Sequence, residues 1–202
     1  MIKGNVKVCA EINSAASAKS GKGGVKYLAF GVGLLVKGRN GEVKDLDIAV
    51  TLDGDKGKFE EMTVGQRVKL YGTLAVHKVD GMVKFYLRAD TVELASADDA
   101  DSIEGAVTFN GKMGKKAAEK KLDKNGQPFL TFGAFSSDKG RETKMEFMWM
   151  GFLWFDADDR KAILQPGAYI EVSGDLQLGV YNDAIALDCR VSDVKPWVIR
   201  KK

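Results

Sequence analysis

Cysteine is scarce in this chain, and its scarcity removes two large classes of protein at once. Cys9 and Cys189 are the whole supply, too few for a disulfide scaffold or a four-ligand metal site. Histidine is scarcer still: His77 stands alone, so neither a Ser-His-Asp triad nor a histidine-based metal site can be assembled. Long apolar runs are missing too. Tyr27–Val36 and Met145–Phe155 are the longest, well short of the roughly 20 residues of a membrane-spanning helix. The start, Met1-Ile2-Lys3-Gly4, has no apolar leader region, so the chain reads as cytosolic in type, with no membrane partner. Charge of one sign is not in excess. The 31 basic residues against 28 acidic ones leave +3, too little by itself to imply a nucleic-acid partner.

Phosphate loops are absent as well. Ser20-Gly21-Lys22-Gly23-Gly24 has the glycines, but a P-loop needs Ser or Thr after the lysine and Gly six residues before it. Gly23 and Ala16 stand there. Gly31-Val32-Gly33 lacks a third glycine and opens no helix. The acidic pairs Asp98-Asp99 and Asp158-Asp159 fall in a linker and at a helix start, where solubility or capping accounts for them. No enzyme is expected, and no cofactor.

What the chain does have is glycine, 23 residues against 3 prolines, with 45% hydrophobic and 29% charged residues. That is a globular mix suited to many short strands joined by tight turns. It also has a repeat. Val64–Leu74 matches Pro166–Leu176 at a shift of 102 residues, and Tyr27–Gly31 falls on Phe129–Gly133 at the same shift. Two units of about 100 residues follow: 1–95 and 102–202, joined by a short acidic linker at 96–101.

Each unit reads as five strands. They are Ile2–Ile12, Tyr27–Lys37, Val43–Leu52, Gln66–Ala75 and Met82–Leu94, then Ile103–Asn110, Phe129–Ser136, Met145–Phe155, Ala168–Leu178 and Ala184–Val194. Val68, Leu70, Leu74 and Ile170, Val172, Leu176 show the period of two of half-buried strands. A short helix is expected between the third and fourth strands, capped in the second unit by Asp156. Three strands, a helix and two strands is the order of an OB-fold, a five-stranded Greek-key barrel. The predicted fold is all-β: two tandem OB-folds.

The second unit then resembles a known family. The aromatic third strand Met145-Glu146-Phe147-Met148-Trp149-Met150-Gly151-Phe152-Leu153-Trp154-Phe155 precedes Gly167-Ala168-Tyr169-Ile170-Glu171-Val172-Ser173-Gly174-Asp175-Leu176. Together they are similar to the corresponding strands of bacterial and phage single-stranded DNA-binding proteins. The first unit carries the fourth-strand pattern at Gly65–Leu74 without the aromatic strand. The resemblance implies a non-catalytic, largely sequence-independent binder of single-stranded DNA in replication, recombination or repair. It also implies a homodimer, since the family commonly presents four OB-folds. Family members usually end in an acidic tip, whereas this sequence reads Trp197-Val198-Ile199-Arg200-Lys201-Lys202, so recruitment of partners through such a tip is not expected.

Parity sorts the faces without the family. In the first unit Leu46, Ile48, Val50 and Leu52 form the inner row of the third strand, which carries across to Met148, Met150, Phe152 and Trp154. The outer row is Asp45, Asp47, Ala49 and Thr51 in the first unit, but Phe147, Trp149, Gly151 and Leu153 in the second. A bulge at Gly151 would instead leave Trp154 or Phe155 outside. Leu130 and Phe132 face in on the second strand; Phe129 and Phe135 face out, as does Tyr27. Cys9 falls on an outer row and Cys189 on an inner one. Outward aromatics on strands two and three suit base stacking, so Phe129, Phe135, Phe147 and Trp149 are the primary candidates. A protein interface uses aromatics equally well. On the first unit Arg67, Lys69, Tyr71 and Thr73, with Lys84, Tyr86 and Arg88, suit either a phosphate track with occasional stacking or a solvated sheet; Asp45 and Asp47 weigh against binding there. The loop Gly111–Gln127 offers Lys112, Lys115, Lys116, Lys120, Lys121 and Lys124 for phosphates, and Ser14–Gly24 offers Lys19 and Lys22. Two other readings stay open: an assembly module that binds protein through its aromatics, and an RNA-binding OB protein.

Overall fold

Alternating apolar and polar residues favour strands, because successive side chains on a strand point to opposite faces. The computed structural model describes residues 2–38, 40–54, 62–139, 145–155, 157 and 159–198, and strands dominate it. The first half folds as β1 (Ile2–Ser20), β2 (Lys26–Lys37), β3 (Val43–Asp53), β4 (Arg67–Val79) and β5 (Met82–Leu94). The second half follows as β6 (Ser102–Met113), β7 (Glu119–Leu122), β8 (Pro128–Lys139), β9 (Met145–Phe155), β10 (Tyr169–Tyr181) and β11 (Ala184–Pro196).

Pairing closes each half on itself. β1 is antiparallel to both β2 and β4, β4 pairs with β5, and β5 runs parallel to β3, which pairs back onto β2. In the second half β6 pairs with β10 and β8, β10 with β11, and β11 runs parallel to β9, which pairs with β8. Both circuits have the 1-2-3-5-4-1 order of an OB-fold barrel, which leaves few free edges. The chain is all-β and consists of two tandem OB-folds.

The barrels share backbone. β1 pairs antiparallel with β6 from Ile2↔Phe109 to Cys9↔Ser102, so one sheet of 11 strands runs through both. Glycine permits this approach. A Cβ at Gly4 would overlap the Ala106 carbonyl, and one at Gly105, whose φ is 151°, would overlap the Asn5 carbonyl.

The inner rows are those that parity predicts. Leu46, Ile48, Val50 and Leu52 are buried in the first barrel, and Met148, Met150, Phe152 and Trp154 in the second. Phe152 stacks on Phe132 at 4.8 Å and meets Phe109 edge-on at 5.1 Å. Each such side chain contributes about 1.5–3 kcal/mol by leaving water.

Several local expectations are corrected. The register of β8 on β9 is unbroken from Phe129↔Phe155 to Lys139↔Met145, so Gly151 carries no bulge and Trp154 stays inside. β1 runs on to Ser20, and Ser17–Ser20 pairs with Lys26–Ala29; most of the expected Ser14–Gly24 loop is a hairpin extension. The lysine-rich loop likewise contains β7, paired with the start of β8. Its turn is held by Asp123, whose Oδ1 accepts the Asn125 and Gln127 N–H groups, each at 2.8 Å. The expected helix of the second barrel is a single 3-10 stretch, Asp159–Ile163. Its expected cap, Asp156, and residues 55–61 of the first barrel lie outside the described residues. Among the described residues no helix is long and apolar enough to cross a membrane.

Candidate functional site

With the interior of the second barrel filled, the odd-numbered residues of β9 face outward. Phe147 is 47% exposed and Trp149 58%. Phe135 of β8 lies between them, 5.5 Å from the Phe147 ring and 5.4 Å from Trp149. Two glycines let the indole lie against the sheet: a Cβ at Gly114 would stand 3.1 Å from the Trp149 ring and one at Gly133 3.7 Å. Further along the same face Phe129 stacks on Phe155 at 5.0 Å, and the Arg190 guanidinium of β11 sits 5.1 Å from the Phe155 ring. An open groove of about 770 Å³ runs along this face, lined by Phe129, Phe147, Trp149, Lys78, Lys121 and Tyr181 among others.

Lys78 belongs to the other barrel. The β4–β5 hairpin turns on Asp80 and Gly81, both at positive φ (52° and 79°), the geometry of a tight two-residue turn. Its tip reaches β9. The Lys78 Nζ donates to the Phe147 carbonyl at 3.3 Å and the Gly81 N–H to Glu146 Oε1 at 3.2 Å. The β10–β11 hairpin, turning on Asn182 and Asp183, makes the reciprocal reach, and Asp183 pairs with Lys44 of β3 at 2.7 Å. Each barrel's last hairpin therefore braces the other's third strand.

The predicted lysines divide. Lys121 lines the groove and lies 3.8 Å from Glu119. Lys120 lines a smaller cavity beside Phe129. Lys115 and Lys116 are exposed before β7, and Lys112 holds its Nζ 5.4 Å over the ring of Tyr169. Lys69 is paired within the chain: linker residue Asp99 lies 2.7 Å from its Nζ, a hydrogen bond that raises the lysine pKa and lowers that of Asp99. Its neighbour Arg67 is held the same way by Asp101 at 2.6 Å. Cys9 lies on the outer row yet is buried, because β4 and β6 flank it and Arg67 lies over it. Cys189 is in the core, where burial first, then Asp175 and Asp188, push its thiol up to about 12.

The first barrel presents a different face. Asp45, Asp47 and Asp53 stand exposed where the second barrel has Phe147, Trp149 and Phe155, and Asn13 donates to Asp47 at 2.6 Å. Tyr27 is half-buried and is the aromatic on that face of β2 and β3. Tyr71 and Tyr86 are exposed, with Lys7 over Tyr71 at 5.5 Å and His77 edge-on to Tyr86 at 5.9 Å. Lys84 and Arg88 are exposed on β5, Arg88 within 3.9 Å of Asp53. None of these last four lines the groove of the second barrel. Sequence reasoning missed Lys78 and Tyr181 in the groove and Arg190 over the Phe155 ring, and it set Phe155 outside only through a bulge at Gly151. Parity alone would have put Phe155 on the outer row. Among the described residues no group of three or more His, Cys, Asp or Glu side chains could hold a metal ion.

In chemical terms the second barrel offers flat rings open to solvent with cations at their margin. No family model matches the chain, and no curated protein matches it in sequence. In structure it is similar to the wild-type single-stranded DNA binding protein from Thermus aquaticus, at 12% identity and a TM-score of 0.49, over 98% of this chain and 95% of that one. The small single-stranded DNA-binding protein from Streptomyces coelicolor is similar over 47% of this chain and 95% of its own, at 11% identity and a TM-score of 0.39. PriB from Ralstonia solanacearum aligns over 46% and 98%, at 12% identity and a TM-score of 0.35. The assignment of two OB-folds rests on the strand order above.

Proposed function

We propose that this chain binds single-stranded DNA without strong sequence preference, through the outer aromatic face of its second barrel. The observation that carries this reading is the trio Phe135, Phe147 and Trp149, packed ring to ring yet left half open to water. Exposed aromatics are costly in water and suit any base, since every base has a π-face. Lys78, Lys112, Lys121 and Arg190 border the rings and neutralise phosphates, while Phe129 and Phe155 extend the stacking surface. Lys115, Lys116 and Lys120 add charge nearby. The first barrel, acidic on the equivalent face, serves mainly as a brace that supplies Lys78. Family resemblance supports a dimer with four barrels and a role in replication, recombination or repair.

Titration of the full chain with oligo(dT), following tryptophan emission, tests the reading. Binding that weakens with salt supports it, and absence of binding at low salt refutes it. An RNA-binding role predicts instead that matched oligo(rU) competes more strongly than oligo(dT).

A further inference from the structure

Phe147 borders two grooves. The second, about 510 Å³, opens where β6 and β8 separate and is lined by Lys112, Phe135, Phe147, Tyr169 and Trp197 among others. Tyr169 is 44% exposed and meets Trp197 edge-on at 6.0 Å. The Trp197 backbone N–H donates to the Tyr169 carbonyl at 3.0 Å, which fixes the segment after β11. Lys112 stands over the Tyr169 ring, and the nearby carboxylate of Glu171 is neutralised by Lys195 at 2.8 Å. A cation and two partly open rings thus converge on one cleft, continuous through Phe147 with the stacking face.

The internal repeat shows what such a cleft accommodates. At the same shift Arg67 corresponds to Tyr169, Leu35 to Ser137 and Ala95 to Trp197. The matching cleft of the first barrel is lined by Leu35, Lys37, Arg67, Asp99, Ala100 and Asp101. There the linker between the barrels supplies the occupant: Asp101 accepts from Arg67 at 2.6 Å and from the Leu35 N–H at 2.8 Å. An acidic stretch of chain therefore already lies across this position in one barrel. In the other barrel the arginine and alanine are replaced by tyrosine and tryptophan. That exchange turns a carboxylate seat into a ring seat beside a lysine.

We propose that this groove is a further nucleotide subsite, its base packing on Tyr169 and Trp197 and its phosphate facing Lys112. The strand then leaves the stacking face past Phe147 and turns round the rim of the barrel. The proposal rests on the nucleic-acid reading above and adds the route of the strand.

The test uses the full chain, an oligo(dT) length series, and three variants: Trp149→Ala, the double variant Tyr169→Ala/Trp197→Ala, and Tyr169→Phe/Trp197→Phe, with melting curves to verify folding. Trp149→Ala is expected to weaken binding at every length. The double alanine variant binds the shortest oligonucleotides as wild type does, and loses about tenfold or more on lengths that reach the second groove. The double phenylalanine variant retains most of that affinity. Equal affinities of wild type and the double alanine variant at all lengths overturn the subsite and leave the stacking face standing. No binding by wild type overturns both. In a Trp149→Phe background, polyglutamate that quenches emission as fully as oligo(dT) assigns the groove to an acidic peptide and overturns the proposal.

Discussion

Two tryptophans on one strand, five residues apart, do different things because the parity of β9 separates them. Trp154 is 3% exposed and Trp149 58%. Trp154→Ala is therefore expected to cost about 3–5 kcal/mol of stability, read from urea denaturation, whereas Trp149→Ala leaves the midpoint nearly unchanged. Cys189 gives a prediction in pH. Its folded-state pKa is raised from 9.0 to about 12 by burial, so the folded state keeps a proton that the unfolded chain releases. The stability this contributes is intact below about pH 9 and is lost as pH rises toward 12. Cys189→Ala should show a shallower alkaline loss of stability than wild type across that window; equal slopes would contradict the buried thiol. The orientation of Trp149 was legible from sequence because the repeat supplied Asp47 as its counterpart beside an unmistakable inner row. Trp197 was not legible, since it follows the last strand and its counterpart Ala95 has no ring. The fate of Lys69 was equally hidden: its partner Asp99 is 30 residues away and reaches it only through the fold.

At the level of elements, the closeness of the fourth and fifth strands to the other barrel could not be read from hydrophobic pattern. Strand existence, order and facing were legible, because core-facing residues must alternate. Strand length was not: β1 continues to Ser20 through small Ala and Ser residues, mostly exposed, of which Ala16 alone packs against the core and Ser17 donates its hydroxyl to the Ala29 carbonyl at 3.4 Å, so little apolar trace marks the extension. The β4–β5 hairpin shows what such an element can carry. Gly81 sits at φ 79°, where a Cβ costs roughly 1–2 kcal/mol. Gly81→Val is expected to lower the melting temperature and, by displacing Lys78 from the groove, to weaken oligo(dT) binding. A variant with reduced stability but unchanged affinity would show that the hairpin is only a brace.

For the whole molecule, the shared β1–β6 ladder predicts one cooperative unfolding transition for both barrels. Gly4→Val, which forces a side chain into the Ala106 carbonyl, should lower the melting temperature and broaden or split the calorimetric transition; a single unshifted transition would mean that the β1–β6 ladder contributes little to the coupling and that the two bracing hairpins carry it. Binding should depend on salt. If Lys78, Lys112, Lys121 and Arg190 each neutralise a phosphate, log K should fall with log salt at a slope of about −3. The most direct measurement compares oligo(dT) affinity of wild type and Trp149→Ala at one fixed salt concentration, with oligomer mass measured alongside. Stacking on the second barrel predicts a loss of roughly 5- to 150-fold, equivalent to about 1–3 kcal/mol, with mass unchanged. Full affinity in a variant that has fallen apart into monomers would mean that the aromatic face joins protein to protein, and would contradict the account.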